Sequence, residues 1–124
     1  MTQTETAEDT VRAIIAATDA ADVHRLSQLV TDDVRLRFAS EEPSVGKDRL
    51  LSGAEEFFAS IASIRHDIGA LWSVTPETVI AEMTVHYQRL DGGQLSLPCT
   101  DVFYLRDGLI ADYRIYMDIA PVFA

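Results

Sequence analysis

Two residues of this chain have the type and setting for proton transfer. Asp101 lies in Pro98-Cys-Thr-Asp-Val-Phe103, alternating with Cys99 and Phe103. If that face of an extended segment is buried, the carboxyl loses solvation. Its pKa rises, and the neutral acid is favoured unless a cation or several donors answer it. A neutral acid donates to a carbonyl or epoxide oxygen, and a partly ionised one serves as a base. A structural aspartate held by backbone or tyrosine hydroxyls stays open beside that reading. His66 alternates with Ile64, Ile68, Ala70 and Trp72 on an apolar face that is expected to point inward. There it would pair with Asp101 as base with acid, because an adjacent carboxylate fixes an imidazole in one tautomer. The alternative is a structural, hydrogen-bonded histidine. Tyr87 and Tyr113 offer hydroxyls to orient a ligand oxygen, or pack with a wet tip. Trp72 reads as core or pocket wall. Cys99 lacks a neighbouring cation to lower its pKa, so an inert buried thiol is expected. No Gly-rich phosphate loop, serine elbow or zinc spacing is present.

Elements must bring these residues together. Thr6-Ala-Glu-Asp9 has the form of a capping box opening a helix to about Thr18, with Val11, Ile14 and Ile15 at helical spacing. Asp22 caps a short second helix carrying Val23, Leu26, Leu29 and Val30, which Thr31-Asp-Asp33 breaks. Val34 to Phe38 alternates as a strand, and Ser40 to Val45 reads as a loop. A third helix from about Lys47 to Ala62 stacks Leu50, Ala54, Phe57 and Ile61, with Leu51 and Phe58 beside them. Gly53 inside it costs about 1 kcal/mol relative to Ala, acceptable where a neighbour packs closely. From Ile64 the period becomes two. Strands are expected at Ile64 to Val74, Val79 to Leu90, Gln94 to Arg106 and Leu109 to Asp118, with Asp91-Gly-Gly93 and Asp107-Gly108 as hairpin turns. The fold class is therefore α+β: three N-terminal helices against a curved antiparallel sheet, enclosing a pocket.

The chain's 124 residues fit one domain, 1–124, with a disordered tail at about 1–6; folding at this size buries roughly two thirds of the unfolded surface. Its formal charge of −10 opposes binding to nucleic acid or anionic membrane, which need basic surface. No run reaches the roughly 18 apolar residues of a membrane span. Met1 to Thr10 lacks the basic start and apolar stretch of a signal peptide, and the one cysteine cannot form an internal disulfide. A cytoplasmic setting is expected.

The order of elements resembles the nuclear transport factor 2-like superfamily. Asp19-Ala-Ala-Asp22, Leu29-Val-Thr-Asp-Asp-Val34 and Val45-Gly-Lys47 carry the likeness. So does Pro98 to Ile110, followed by Asp112-Tyr-Arg-Ile-Tyr-Met-Asp118 and Pro121; this last stretch looks specifically SnoaL-like. Such a superfold hosts many unrelated functions. Against ketosteroid isomerases, the resemblance puts Phe38 where the carboxylate base stands and Ile14 where the first-helix tyrosine stands, and retains the oxyanion aspartate as Asp101. Against limonene-type epoxide hydrolases, Met83, Val85 and Ile115 replace the Asp–Arg–Asp set, and Leu36 and Phe38 the water-holding pair. Both activities are disfavoured.

The same resemblance turns Leu36, Phe38, Met83, Val85, Leu97, Cys99, Phe103, Ile115 and Met117 inward, with Tyr87, Asp101 and Tyr113 as polar points. A one-residue slip of the Val79 to Leu90 strand would bring in Glu82, Thr84 and His86 instead. The expected function is a cofactor-independent isomerase, cyclase or hydrolase acting on a small apolar molecule. Asp101 would be the acid or oxyanion donor and His66 the base. A non-catalytic binding domain and a pure association module are the rivals. The opposite face would carry Thr84, Thr100, Val102, Tyr104, Arg114 and Tyr116, an aromatic and β-branched set expected to join two copies as a homodimer.

Overall fold

The computed structural model describes residues 6–124. The expected N-terminal tail thus lies outside the described residues, except for Thr6, which caps a helix. The Thr6 hydroxyl accepts from the Asp9 backbone N–H at 3.1 Å, and the Asp9 carboxylate accepts from the Thr6 N–H at 3.1 Å. These reciprocal bonds satisfy donors that a helix start leaves unpaired and open α1 (Ala7–Asp19). Asp22 caps α2 (Val23–Leu29) through the Arg25 N–H at 3.0 Å.

The chain then runs through β1 (Val30–Phe38), β2 (Ser44–Val45), α3 (Lys47–Ala59) and β3 (Ser63–Thr75). It continues through β4 (Thr78–Gln88), β5 (Gln94–Arg106), β6 (Leu109–Tyr116) and a short α4 (Ala120–Phe123). The loop expected at Ser40 to Val45 contributes the two residues of β2 to the sheet, and Thr31 to Asp33 already belong to β1.

All six strands join one curved, unclosed sheet in the order β2-β1-β6-β5-β4-β3. The meander from β3 to β6 is antiparallel as expected, its last hairpin turning on Asp107 and Gly108 with φ of 53° and 80°. One pairing differs: β1 lies parallel to β6, with Leu36 opposite Tyr113, so the sheet is mixed. Hydrophobic alternation specifies which face a strand buries. It is silent on which neighbour the strand takes, and on direction.

Residues Val79, Ala81, Met83, Val85 and Tyr87 of β4 face inward, so the expected register holds and Glu82 and Thr84 lie on the exposed convex face. On β3 the face changes partway. His66 pairs Val85 and Ile68 pairs Met83, but Ala70 pairs Glu82 and Trp72 pairs Ile80, with an irregularity between Ile68 and Ala70. The extra residue of a bulge reverses everything after it. Leu71 therefore packs against the core, while Ala70 and Trp72 go to the convex side, leaving Trp72 49% exposed. The expectation that Trp72 lines the pocket is corrected on this ground.

The core lies between α1 and the concave face of the sheet. Val11, Ile14 and Ile15 bury against strand residues including Val79, Met83, Val85, Phe103 and Ile110.

Candidate active site

Where α1 ends and α3 leans across the sheet, the concave face opens into a cavity of about 360 Å3. That is within the size range of small-molecule sites. β1 and β6 supply Leu36, Phe38, Tyr113 and Ile115 from adjacent strands, and β5 supplies Cys99 and Asp101. α3 contributes Leu50, Gly53, Ala54, Phe57 and Phe58, and the segment after β6 adds Met117, Ile119 and Phe123. Met83, Val85 and Phe103 are absent from this lining. They face inward as expected but are buried in the core. The expectation that they line the pocket is corrected to that extent. Leu97, also expected inward, packs at the edge of the core rather than on the cavity.

Asp101 lies on the cavity wall with only 1% of its surface exposed. Its two oxygens accept from the Tyr113 hydroxyl at 3.0 Å and the Cys99 thiol at 3.1 Å. Burial pushes its pKa up to about 6, against the opposing pull of those two donors and of His66. Burial likewise raises the pKa of Cys99, Tyr87 and Tyr113, aided by the Asp101 charge, so all three stay protonated donors at neutral pH. The Tyr87 hydroxyl meets only the Met117 thioether, at 3.5 Å. Sulfur is a weak acceptor, so that O–H is readily redirected to a ligand oxygen.

His66 also lines the cavity, and an unexpected residue holds it there. Asp19, the last residue of α1, accepts the His66 backbone N–H at 3.0 and 3.1 Å and meets Nδ1 at 2.5 Å. A carboxylate only accepts, so Nδ1 carries the proton and Nε2 is the nitrogen left for the cavity. Sequence reasoning passed over Asp19, although a signal existed. A carboxylate in a helix's last turn opposes the negative end of the helix dipole, and calls for a local donor to offset that cost. His86, the slip-register candidate, is on the convex face, bridging Asp67 at 2.7 Å and Ser96 at 2.6 Å. Among the described residues no three His, Cys, Asp or Glu side chains gather as metal ligands.

The family model for the SnoaL-like domain matches residues 11–113. The chain belongs to the SnoaL-like family. Solved structures agree on the fold of this SnoaL-like protein. A candidate polyketide cyclase from Pseudomonas putida KT2440 superposes with a TM-score of 0.80 at 26% identity, over 94% of this chain and 95% of that one. An NTF2-like protein of unknown function from Burkholderia pseudomallei K96243 gives 0.85 at 17% identity, over 95% of each chain. An LEH-like epoxide hydrolase from M. tuberculosis gives 0.82 at 20% identity, over 97% of this chain and 90% of that one. Among curated proteins none matches the chain. The match runs from Val11, within α1, to Tyr113, and so includes Asp19, His66, Tyr87 and Asp101 of the SnoaL-like domain.

Proposed function

We propose that this SnoaL-like protein is a cofactor-independent isomerase or cyclase that moves a proton on an apolar, carbonyl-bearing small molecule. The observation that carries the reading is that two titratable groups of one largely apolar cavity are each fixed by their own partners: Asp101 by Tyr113 and Cys99, His66 by Asp19. With its pKa near 6, Asp101 is chiefly a carboxylate at neutral pH, which makes it the base rather than the acid. It takes a proton from the carbon beside the carbonyl. Negative charge passes to the carbonyl oxygen, where the Tyr87 hydroxyl and His66 Nε2, when protonated, donate hydrogen bonds. Return of the proton to another carbon isomerises the substrate. Attack of the enolate carbon on a second carbonyl carbon closes a ring, and the alkoxide formed on that carbonyl's oxygen takes the proton back from Asp101.

Asp19 is a positioning residue in this scheme, holding the imidazole so that Nε2 points at substrate. We further place the protein in the cytoplasm as a homodimer. A single buried, unpaired cysteine fits a reducing compartment, and the convex face carries Trp72, Ile80, Val102, Tyr104 and Tyr116 on neighbouring strands.

The test starts from whatever molecule native mass spectrometry finds co-purified with the protein. That molecule is incubated in D2O and followed by proton NMR. Wild type should exchange a hydrogen beside the carbonyl, and Asp101→Asn should lower the rate at least 100-fold. Equal exchange by both proteins would remove Asp101 as the base. Binding without any exchange would leave a carrier of apolar ligands in place of an enzyme.

A further inference from the structure

Gly53 lies near the middle of α3, seven residues into a thirteen-residue helix. Helix propensity disfavours glycine there, and close approach of a neighbouring element is the usual compensation. None is present. A Cβ built on Gly53 meets nothing within 4 Å, and the backbone is not in the left-handed region that excludes other residues. Neither packing nor conformation accounts for the missing side chain. Gly53 is itself exposed, at the open mouth of the cavity, which it lines together with Ala54 and Phe57 of the same helix. The charges around that space are equally one-sided. Among the described residues, Glu41, His66 and Asp101 are its titratable members besides the tyrosines and the thiol, and no Lys or Arg lines it.

We propose that Gly53 is the specificity-determining position of the cavity, kept free of a side chain so that the apolar body of an uncharged ligand lies against the α3 backbone. The proposal rests on the acid–base reading of the same cavity and adds to it where the ligand's bulk sits and which charge is refused. A side chain at position 53 would stand at that mouth and narrow the space through which the ligand's bulk reaches the helix. An anion entering the cavity would meet the Asp101 and Glu41 carboxylates, with no Lys or Arg among the described lining residues to answer it.

N-phenyl-1-naphthylamine and 8-anilinonaphthalene-1-sulfonate share one ring framework and differ by a sulfonate, so the pair isolates charge. Both are titrated, by fluorescence, into the full chain and into Gly53→Ala and Gly53→Leu, with thermal unfolding measured on each protein. Wild type should bind the neutral dye saturably and the sulfonate at least tenfold more weakly. Gly53→Ala should raise Tm by a few degrees, since the new methyl relieves the helix at no steric cost. Gly53→Leu should keep or raise Tm while losing at least tenfold in affinity for the neutral dye. Unchanged affinity in Gly53→Leu, or a lower Tm in Gly53→Ala, would overturn the role given to Gly53. Equal binding of both dyes would overturn the charge selection. Failure of wild type to bind the neutral dye would remove the pocket reading as well.

Discussion

The carboxyl of Asp101 makes catalysis and stability pull in opposite directions. Its folded pKa, about 6, stands above the ordinary 3.8, so the folded state holds the proton more tightly than the unfolded chain does. Burial of Asp101 therefore costs nothing below about pH 4, where both states are protonated. The cost grows as pH rises through 6, reaching about 3 kcal/mol once both are ionised. Asp101→Asn cannot ionise and escapes that cost, although its amide matches the Tyr113 and Cys99 donors less well than a carboxylate does. Urea unfolding should show the variant gaining on wild type between pH 4 and pH 8, by up to about 3 kcal/mol in their difference. A difference that does not change with pH would show that the carboxyl titrates alike in the folded and unfolded chain, and would remove the raised pKa. Asp101 and His66 were legible in the sequence because alternation puts each beside apolar neighbours. Asp19 was not, because its place in the last turn of α1 calls for some donor but cannot name one 47 positions away.

Among the elements, the helices begin where side chains can accept their first free N–H groups. Thr6→Ala removes the hydroxyl that receives the Asp9 N–H and half of the reciprocal box. The variant should lose about 1 kcal/mol, read as a lower urea midpoint at unchanged m-value. No change in midpoint would mean that the first turn of α1 contributes nothing to the cooperative unit. The hairpin at Asp107-Gly108 was legible for a similar reason, since few residue pairs accept positive φ twice in succession. The irregularity between Ile68 and Ala70 was not. Ile64 to Trp72 keeps its apolar alternation in the sequence while the strand changes face beneath it. For that reason His66 lies on the cavity wall and Trp72 on the convex face, although one pattern puts both inward.

At the scale of the whole molecule, the bulge adds Trp72 to a convex face already holding Val102, Tyr104 and Tyr116. Arg114 stacks over Tyr104 at 4.8 Å and covers part of it, but Tyr116 remains 49% exposed. Pairing this face with its own copy would bury the patch against the repulsion of −10 per chain, which salt screens beyond about 8 Å. Sedimentation at tens of micromolar should show a dimer that tolerates moderate salt, and Tyr116→Glu should shift it toward monomer. A monodisperse wild-type monomer would refute the assembly. The parallel contact of β1 with β6 reaches further than the site it builds. Val30 is hydrogen-bonded into the sheet opposite Ile110, so β1 has no partner but the tiny β2 until the last strand of the meander exists. A ribosome that has released β1, α3 and β3 has therefore released nothing able to complete the sheet. The contacts that close it are among the most distant in the chain, and such topologies pass their barrier slowly, in milliseconds to seconds. During synthesis, the strand bearing Leu36 and Phe38 waits with an unpaired edge, and it is there that a chaperone or a misplaced neighbour would find this chain first.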